Sequence, residues 1–180
     1  MIAYKAFEPG LICRNYQFVM GRNTTDEANC AKNGFHCAEN PLDCLSYYSD
    51  LNGSEYYLVN AQGDIDEDNH DTKIACTELF IIKKLTLEDF FLHALAYMVD
   101  HPFRALSAHV IKNYAKATRG YAVIRGIDPV GAGNLGDILA FVKEDLNRRI
   151  TQVALTQVDG KKILPNTYYD IDLAERLAKL

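Results

Sequence analysis

The residues best equipped for chemistry gather in one stretch, 30–48, which holds Cys30, Cys37, Cys44, His36 and the pair Tyr47-Tyr48. Thiols and imidazole can ligate metals or act as nucleophiles and bases. The three cysteines recur every seven residues and His36 adjoins the middle one. Structural zinc sites present paired ligands two to four residues apart, and no Cys-x-x-Cys occurs here, so the spacing favours buried reduced thiols and no metal. With Cys13 and Cys76 the cysteines number five, an odd count that also reads as free thiols.

Other candidates lie outside that stretch. Glu78 sits in the apolar run 73–82, where a carboxylate is costly unless it is paired or faces a solvated cleft. The acidic segment 64–71 opens like a calcium loop, but Asn69 stands where glycine is needed and Ala75 where the bidentate glutamate belongs, so it reads as a solvated acidic turn. His93, His101 and His109 are eight residues apart, on helices that Pro102 would break, and read as boundary residues.

Local signals say what must position these groups. Asn33-Gly34 is a turn, 35–37 a short buried strand, and Asn40-Pro41 an N-cap followed by a first-turn proline. A helix over 41–48 is therefore expected, with Leu42 and Leu45 inward, giving a strand-to-helix elbow with His36 and Tyr48 near its ends. Either the elbow holds a ligand, or His36 donates to a backbone carbonyl and the tyrosines pack. Strands are expected over 2–7, 11–13, 16–20, 55–60, 73–82, 121–125, 138–142, 149–158 and 167–169. Helices are expected over 87–100, with Thr86 and Asp89 as its start, over 103–118, and from 173 to the end. The glycine-rich stretch 126–136 reads as a loop and is neither a P-loop nor a dinucleotide fingerprint.

The implied fold class is α+β, a mainly antiparallel sheet with the helical pair 87–100 and 103–118 packed on one side. The chain reads as a single domain, 1–180. Within it, residues 1–85 are strand-rich, residues 86–120 form the helical pair, and residues 121–180 make a C-terminal meander and short helix. Its 180 residues, 48% apolar and 24% charged, fit an ordinary globular protein. The net charge of −5 opposes broad nucleic-acid binding. Neither a signal peptide nor an eighteen-residue apolar run is present, so no membrane contact and a cytoplasmic location are expected.

Two resemblances extend this reading. Tyr4-Lys5-x-Phe7, Gly34-Phe35-His36-Cys37 with Asn40-Pro41-Leu42-Asp43 and Tyr47-Tyr48, Gly63-Asp64-Ile65-Asp66 leading to Lys73-Ile74-Ala75-Cys76-Thr77, and Val158-Asp159-Gly160 with Pro165, Thr167 and Tyr168-Tyr169 resemble a family of uncharacterised phage and prophage proteins. That resemblance implies a phage-type accessory protein that binds a host or anti-phage defence component in the bacterial cytoplasm. It brings no activity with it.

The layout of a first strand with Tyr4-Lys5, a Gly-Phe-His strand, a helix ending in Tyr48 and a later Gly-x-Ile strand is also similar to small ADP-ribosyltransferases. That similarity implies NAD or another nucleotide as ligand. Tyr4 or Lys5 would meet it from the first strand, Arg14 or Lys5 its pyrophosphate, and Tyr48 would stack on the nicotinamide. His36 would hold a ribose hydroxyl and Glu78 stabilise the oxocarbenium-like species. Tyr4-Lys5 stands where that family has His or Arg. Whether the protein is an enzyme stays open between these readings.

Overall fold

The structure is a computed structural model and describes residues 1–30, 32–67 and 71–177. The chain divides into two compact units, Met1–Phe90 and Phe91–Leu180. No described helix is long and apolar enough to cross a membrane.

In the N-terminal unit the segments rich in apolar, aromatic and β-branched residues form β1 (Ile2–Phe7), β5 (Phe35–Ala38), β6 (Glu55–Glu67) and β7 (Lys73–Leu85). β1 pairs antiparallel with both β5 and β6, and β7 with both β5 and β6, so the four strands close on one another as a small barrel. Closure needs a bend in the long β6–β7 hairpin. It comes where the register slips between Gln62 and Ile65, at Gly63, whose φ is 72° and whose Cβ would stand 2.2 Å from Thr77 Oγ1. Side chains of all four strands fill the interior, among them Ala3, Phe7, Phe35, Tyr57, Cys76, Leu79 and Ile81.

Smaller elements complete this unit. β2 (Ile12–Cys13) and β3 (Tyr16–Gln17) form a hairpin whose turn residues Arg14 and Asn15 both have positive φ, 49° and 65°, as a type I′ turn requires. β4 (Gly21–Thr24) adds to β7. Asn40 accepts from the Leu42 amide and Pro41 opens the turn as its spacing predicts, but the helix is a 3₁₀-helix over Pro41–Ser46. Thr86 Oγ1 accepts from the Asp89 amide and starts α1 (Leu87–Asp100), with the predicted bounds.

The C-terminal unit overturns the expected fold class. In place of a second helix over 103–118 the chain forms β8 (Val110–Lys116), followed by β9 (Tyr121–Ala132), β10 (Ile138–Glu144) and β11 (Ile150–Gln157). β9 pairs in parallel with both β8 and β10. Four residues link β8 to β9, and such a link cannot return along a straight seven-residue strand of about 23 Å, since its reach is at most about 18 Å. The strands are bent instead. The β8–β9 register jumps at Asn113, which has φ 62°, and on β9 from Arg125 to Val130. The chain thus winds as a flattened, two-sided coil. Val110–Lys112, Tyr121–Gly126 and Ile138–Lys143 stack on one side, and Tyr114–Lys116 and Val130–Ala132 on the other. Small residues let the sides meet: a Cβ on Gly131 would stand 2.6 Å from Ile124 Cδ1 and 3.1 Å from Phe141 Cε1.

The remaining corrections follow from this coil. The protein is mostly β, and α1 is the one α-helix among the described residues. The segment 126–136 is largely β9 rather than a loop. β10 pairs antiparallel with β11 as a meander would, but β12 (Tyr168–Tyr169) pairs with β9 at Gly131. A short strand, β13 (Glu175–Arg176), stands where the closing helix was expected; residues 178–180 of that helix lie outside the described residues. The acidic segment is β-strand through Glu67, and its residues 68–70 likewise lie outside the described residues.

Candidate functional site: a thiol at the mouth of the barrel

β1 alternates, so Ala3, Lys5 and Phe7 point into the barrel and Tyr4 points away from it. Lys5 is 5% exposed. Its ammonium donates to the carbonyl of His36 at 2.6 Å and to Cys13 Sγ at 3.7 Å, and lies 5.2 Å from the ring centres of both Phe7 and Phe18. None of these partners is a carboxylate. A buried cation is tolerated when its donors are met and aromatic faces replace some of its hydration.

Cys13 is half-buried at the end of β2 and receives a second donor, the Tyr48 hydroxyl, at 3.2 Å. Tyr48 is delivered by the chain leaving the 3₁₀-helix and is fixed by Tyr56, whose hydroxyl donates to its carbonyl at 2.7 Å. Burial first, then the bond to Cys13, pushes the Tyr48 hydroxyl well above its usual range, so it remains a donor throughout the neutral range. Arg14 follows Cys13 in the turn, exposed. The result is a half-buried thiol whose sulfur faces an ammonium and a hydroxyl donor, an arrangement suited to a nucleophilic thiol or to holding a small electrophile.

The sequence-derived candidates divide between this mouth and other places. Lys5, Arg14 and Tyr48 come together around Cys13. Sequence pattern alone does not single out Cys13 from the other four thiols; its place beside the tight Arg14-Asn15 turn is the one local signal. Tyr4 is buried on the opposite face, its carbonyl accepting from the Cys44 thiol at 3.4 Å, and burial raises its hydroxyl pKa. Glu78 is on the outside, because its neighbour Leu79 points in, and it holds Arg22 through two bonds of 2.7 and 3.2 Å. His36 lends only its backbone to Lys5, and its ring Nε2 lies 3.1 Å from the carbonyl of Cys30. Among the described residues no group of three His, Cys, Asp or Glu side chains is arranged to hold a metal.

His36 gives a pH prediction. Burial lowers its pKa below the ordinary 6.5, the bond to Cys30 opposes this, and Lys5, Lys73 and Arg14 add to the lowering. The unfolded chain therefore takes up a proton before the folded one does. Stability contributed by the neutral ring is present above the unfolded pKa and is lost as pH falls from there toward the folded value. Urea unfolding between about pH 7.5 and 5.5 should show wild type losing more stability than His36→Gln, whose amide still donates to the carbonyl. Equal losses would contradict the assignment.

Part of the outside of the barrel is apolar, along β4 and β7. Val19, Met20, Phe80 and Ile82 are 56%, 53%, 45% and 40% exposed. The Phe80 ring lies against Gly21, 3.9 Å from the place of its missing Cβ. Asn23 fixes the turn that carries Val19 and Met20, accepting from the Val19 amide and donating to the carbonyls of Val19 and Gly21. Tyr16, also exposed, packs on Phe18 and Phe35.

The model of one protein family, described as a domain of unknown function, DUF7666, matches residues 1–93. No curated protein and no solved structure matches the chain.

Proposed function

The chain belongs to the DUF7666 family, and from that premise we propose that it acts by binding, as a phage-type accessory protein that contacts a protein of the bacterial host or of its defences in the host cytoplasm. The observation that carries this reading is the exposed strip of Val19, Met20, Phe80 and Ile82 on a barrel whose inner side chains already pack on one another. Contiguous exposed apolar side chains mark interaction surfaces. Phe, Met, Tyr and Arg are also enriched at the centres of protein interfaces, and Tyr16, Arg14 and the Arg22–Glu78 ion pair supply a polar edge. The net charge of −5 favours a protein partner over a polyanion.

The test is affinity capture from a bacterial lysate with wild type and with Phe80→Glu, followed by reconstitution with the purified partner. Wild type should form a defined complex that Phe80→Glu weakens about a hundredfold, the loss of a central aromatic anchor. Equal affinity for both, or no reconstituted complex, sinks the proposal. An NAD-dependent rise in melting temperature that His36→Ala or Glu78→Gln abolishes would favour an ADP-ribosyltransferase-like activity instead.

A further inference from the structure

The corners of the C-terminal coil line a cavity of about 500 Å³, walled by Leu106, Lys112, Asn113, Arg125, Ile127 and Glu144, with Gly126 and Arg148. It exists because Asn113 and the segment after Arg125 turn the chain at the same edge of successive windings, and the β10–β11 turn brings Arg148 beside them. Arg125 is 2% exposed. Its Nε donates to Glu144 Oε2 at 2.6 Å, and its Nη2 to the carbonyl of Pro102 at 2.6 Å and that of Arg148 at 3.4 Å. Nη1 makes no hydrogen bond among the described residues, yet it is not a buried atom lacking a partner, so it opens on the cavity. Lys112 and Arg148 are exposed at the same wall, and among the described residues their side chains form no ion pair. The Asn113 side chain packs over Gly126. Three cations therefore face one carboxylate, that of Glu144, which is paired with Arg125.

We propose that this cavity binds a small organic anion through its oxyanion head, a carboxylate or a phosphate monoester. Arg125 Nη1 anchors the head, Lys112 and Arg148 supply the charge, and the apolar body lies on Leu106 and Ile127. A guanidinium fixed by three bonds is pre-organised, so one more donor directed at an oxyanion loses little entropy. The volume lies in the range of small-molecule sites and exceeds what an inorganic ion needs. This site lies wholly within the C-terminal unit and does not depend on the binding strip of the barrel.

The experiment is titration of the full chain with benzoate, phenyl phosphate and inorganic phosphate, followed by amide chemical shifts at Asn113 and Gly126, with benzyl alcohol as the neutral control. Saturable binding of benzoate or phenyl phosphate is expected, the tighter of the two naming the head group. The neutral alcohol should not bind, and inorganic phosphate should bind more weakly. The exposed-residue double variant Lys112→Glu/Arg148→Glu should lose at least about tenfold in affinity, with unchanged circular dichroism. Arg125→Lys, which keeps a cation for Glu144 but removes Nη1, should weaken binding too. Absence of saturable binding up to about 10 mM, or equal affinity in wild type and double variant, overturns the proposal.

Discussion

Iodoacetamide at neutral pH should alkylate Cys13 ahead of the other four cysteines of the folded chain, by about tenfold or more in rate. Three competitors are enclosed. Cys76 has no exposed surface, burial pushes the Cys44 thiol up to about 12, and the hydrogen bond with Cys76 together with burial raises Cys37. Cys30 is half-buried like Cys13, but its sulfur donates to the Asp66 carbonyl at 2.8 Å and its amide binds the Asp66 carboxylate, so its surroundings are electron-rich. Cys13 instead accepts hydrogen bonds from the Lys5 ammonium at 3.7 Å and the Tyr48 hydroxyl at 3.2 Å. Lys5→Met should slow alkylation of Cys13 by about tenfold and Tyr48→Phe by less, since a full charge outweighs a neutral donor. Met keeps the aliphatic stem between Phe7 and Phe18 and removes the cost of burying a charge, so the barrel should remain folded, although the His36 carbonyl loses its donor. Peptide mapping by mass spectrometry over a time course reads the rates. Prior labelling of Cys30, or an unchanged rate in Lys5→Met, would remove the thiol site.

The second large effect concerns the coil. Phe141 has no exposed surface and lies between the two sides, its ring 3.1 Å from the place where a Cβ on Gly131 would be. Phe141→Ala should cost about 3–5 kcal/mol, because the coil's paired strands cannot collapse onto the space left. Gly131→Ala, the opposite change at the same contact, should cost about 1–3 kcal/mol by overpacking against Ile124 and Phe141. Denaturant unfolding combined with amide exchange over residues 110–158 measures both. A near-neutral result for both variants would mean that the two sides are not in contact there.

Local order was legible in the sequence wherever the partner of a residue lies a few positions away. Thr86 caps α1 through Asp89, and Asn40 and Pro41 start their turn through Leu42, because these bonds close within one turn of chain. Alternation likewise marked β1, aromatic and β-branched enrichment the core of β6, and a run apolar on both faces that of β7. The segment 103–118 misled because Phe103, Leu106, Val110, Ile111 and Tyr114 recur at helical spacing without sharing a face: Phe103 and Ile111 are 63% and 43% exposed. β8 contributes only three paired residues on each side of its corner at Asn113, too few for alternation to register. Its inward residue at 115 is only an alanine, sized to meet Gly131 across the strand pairing, and nothing local reports that partner.

The same division runs through the site. The sequence by itself determined that Lys5 and Phe7 share a face of one strand, that a tyrosine follows the turn begun by Asn40, that Arg14-Asn15 suits a tight reversal, and that five thiols stay unpaired. Only the tertiary structure decided that Lys5 points inward toward Cys13, that Tyr48 meets the same sulfur, and that Glu78 turns outward to Arg22. The last of these depends on which strand lies beside β7, since β4 pairs along an edge of β7 and brings Arg22 next to Glu78. Strand alternation is a property of neighbouring residues, whereas the choice of partner strand is made by contacts 35 and 56 positions apart in the chain, which local pattern does not encode.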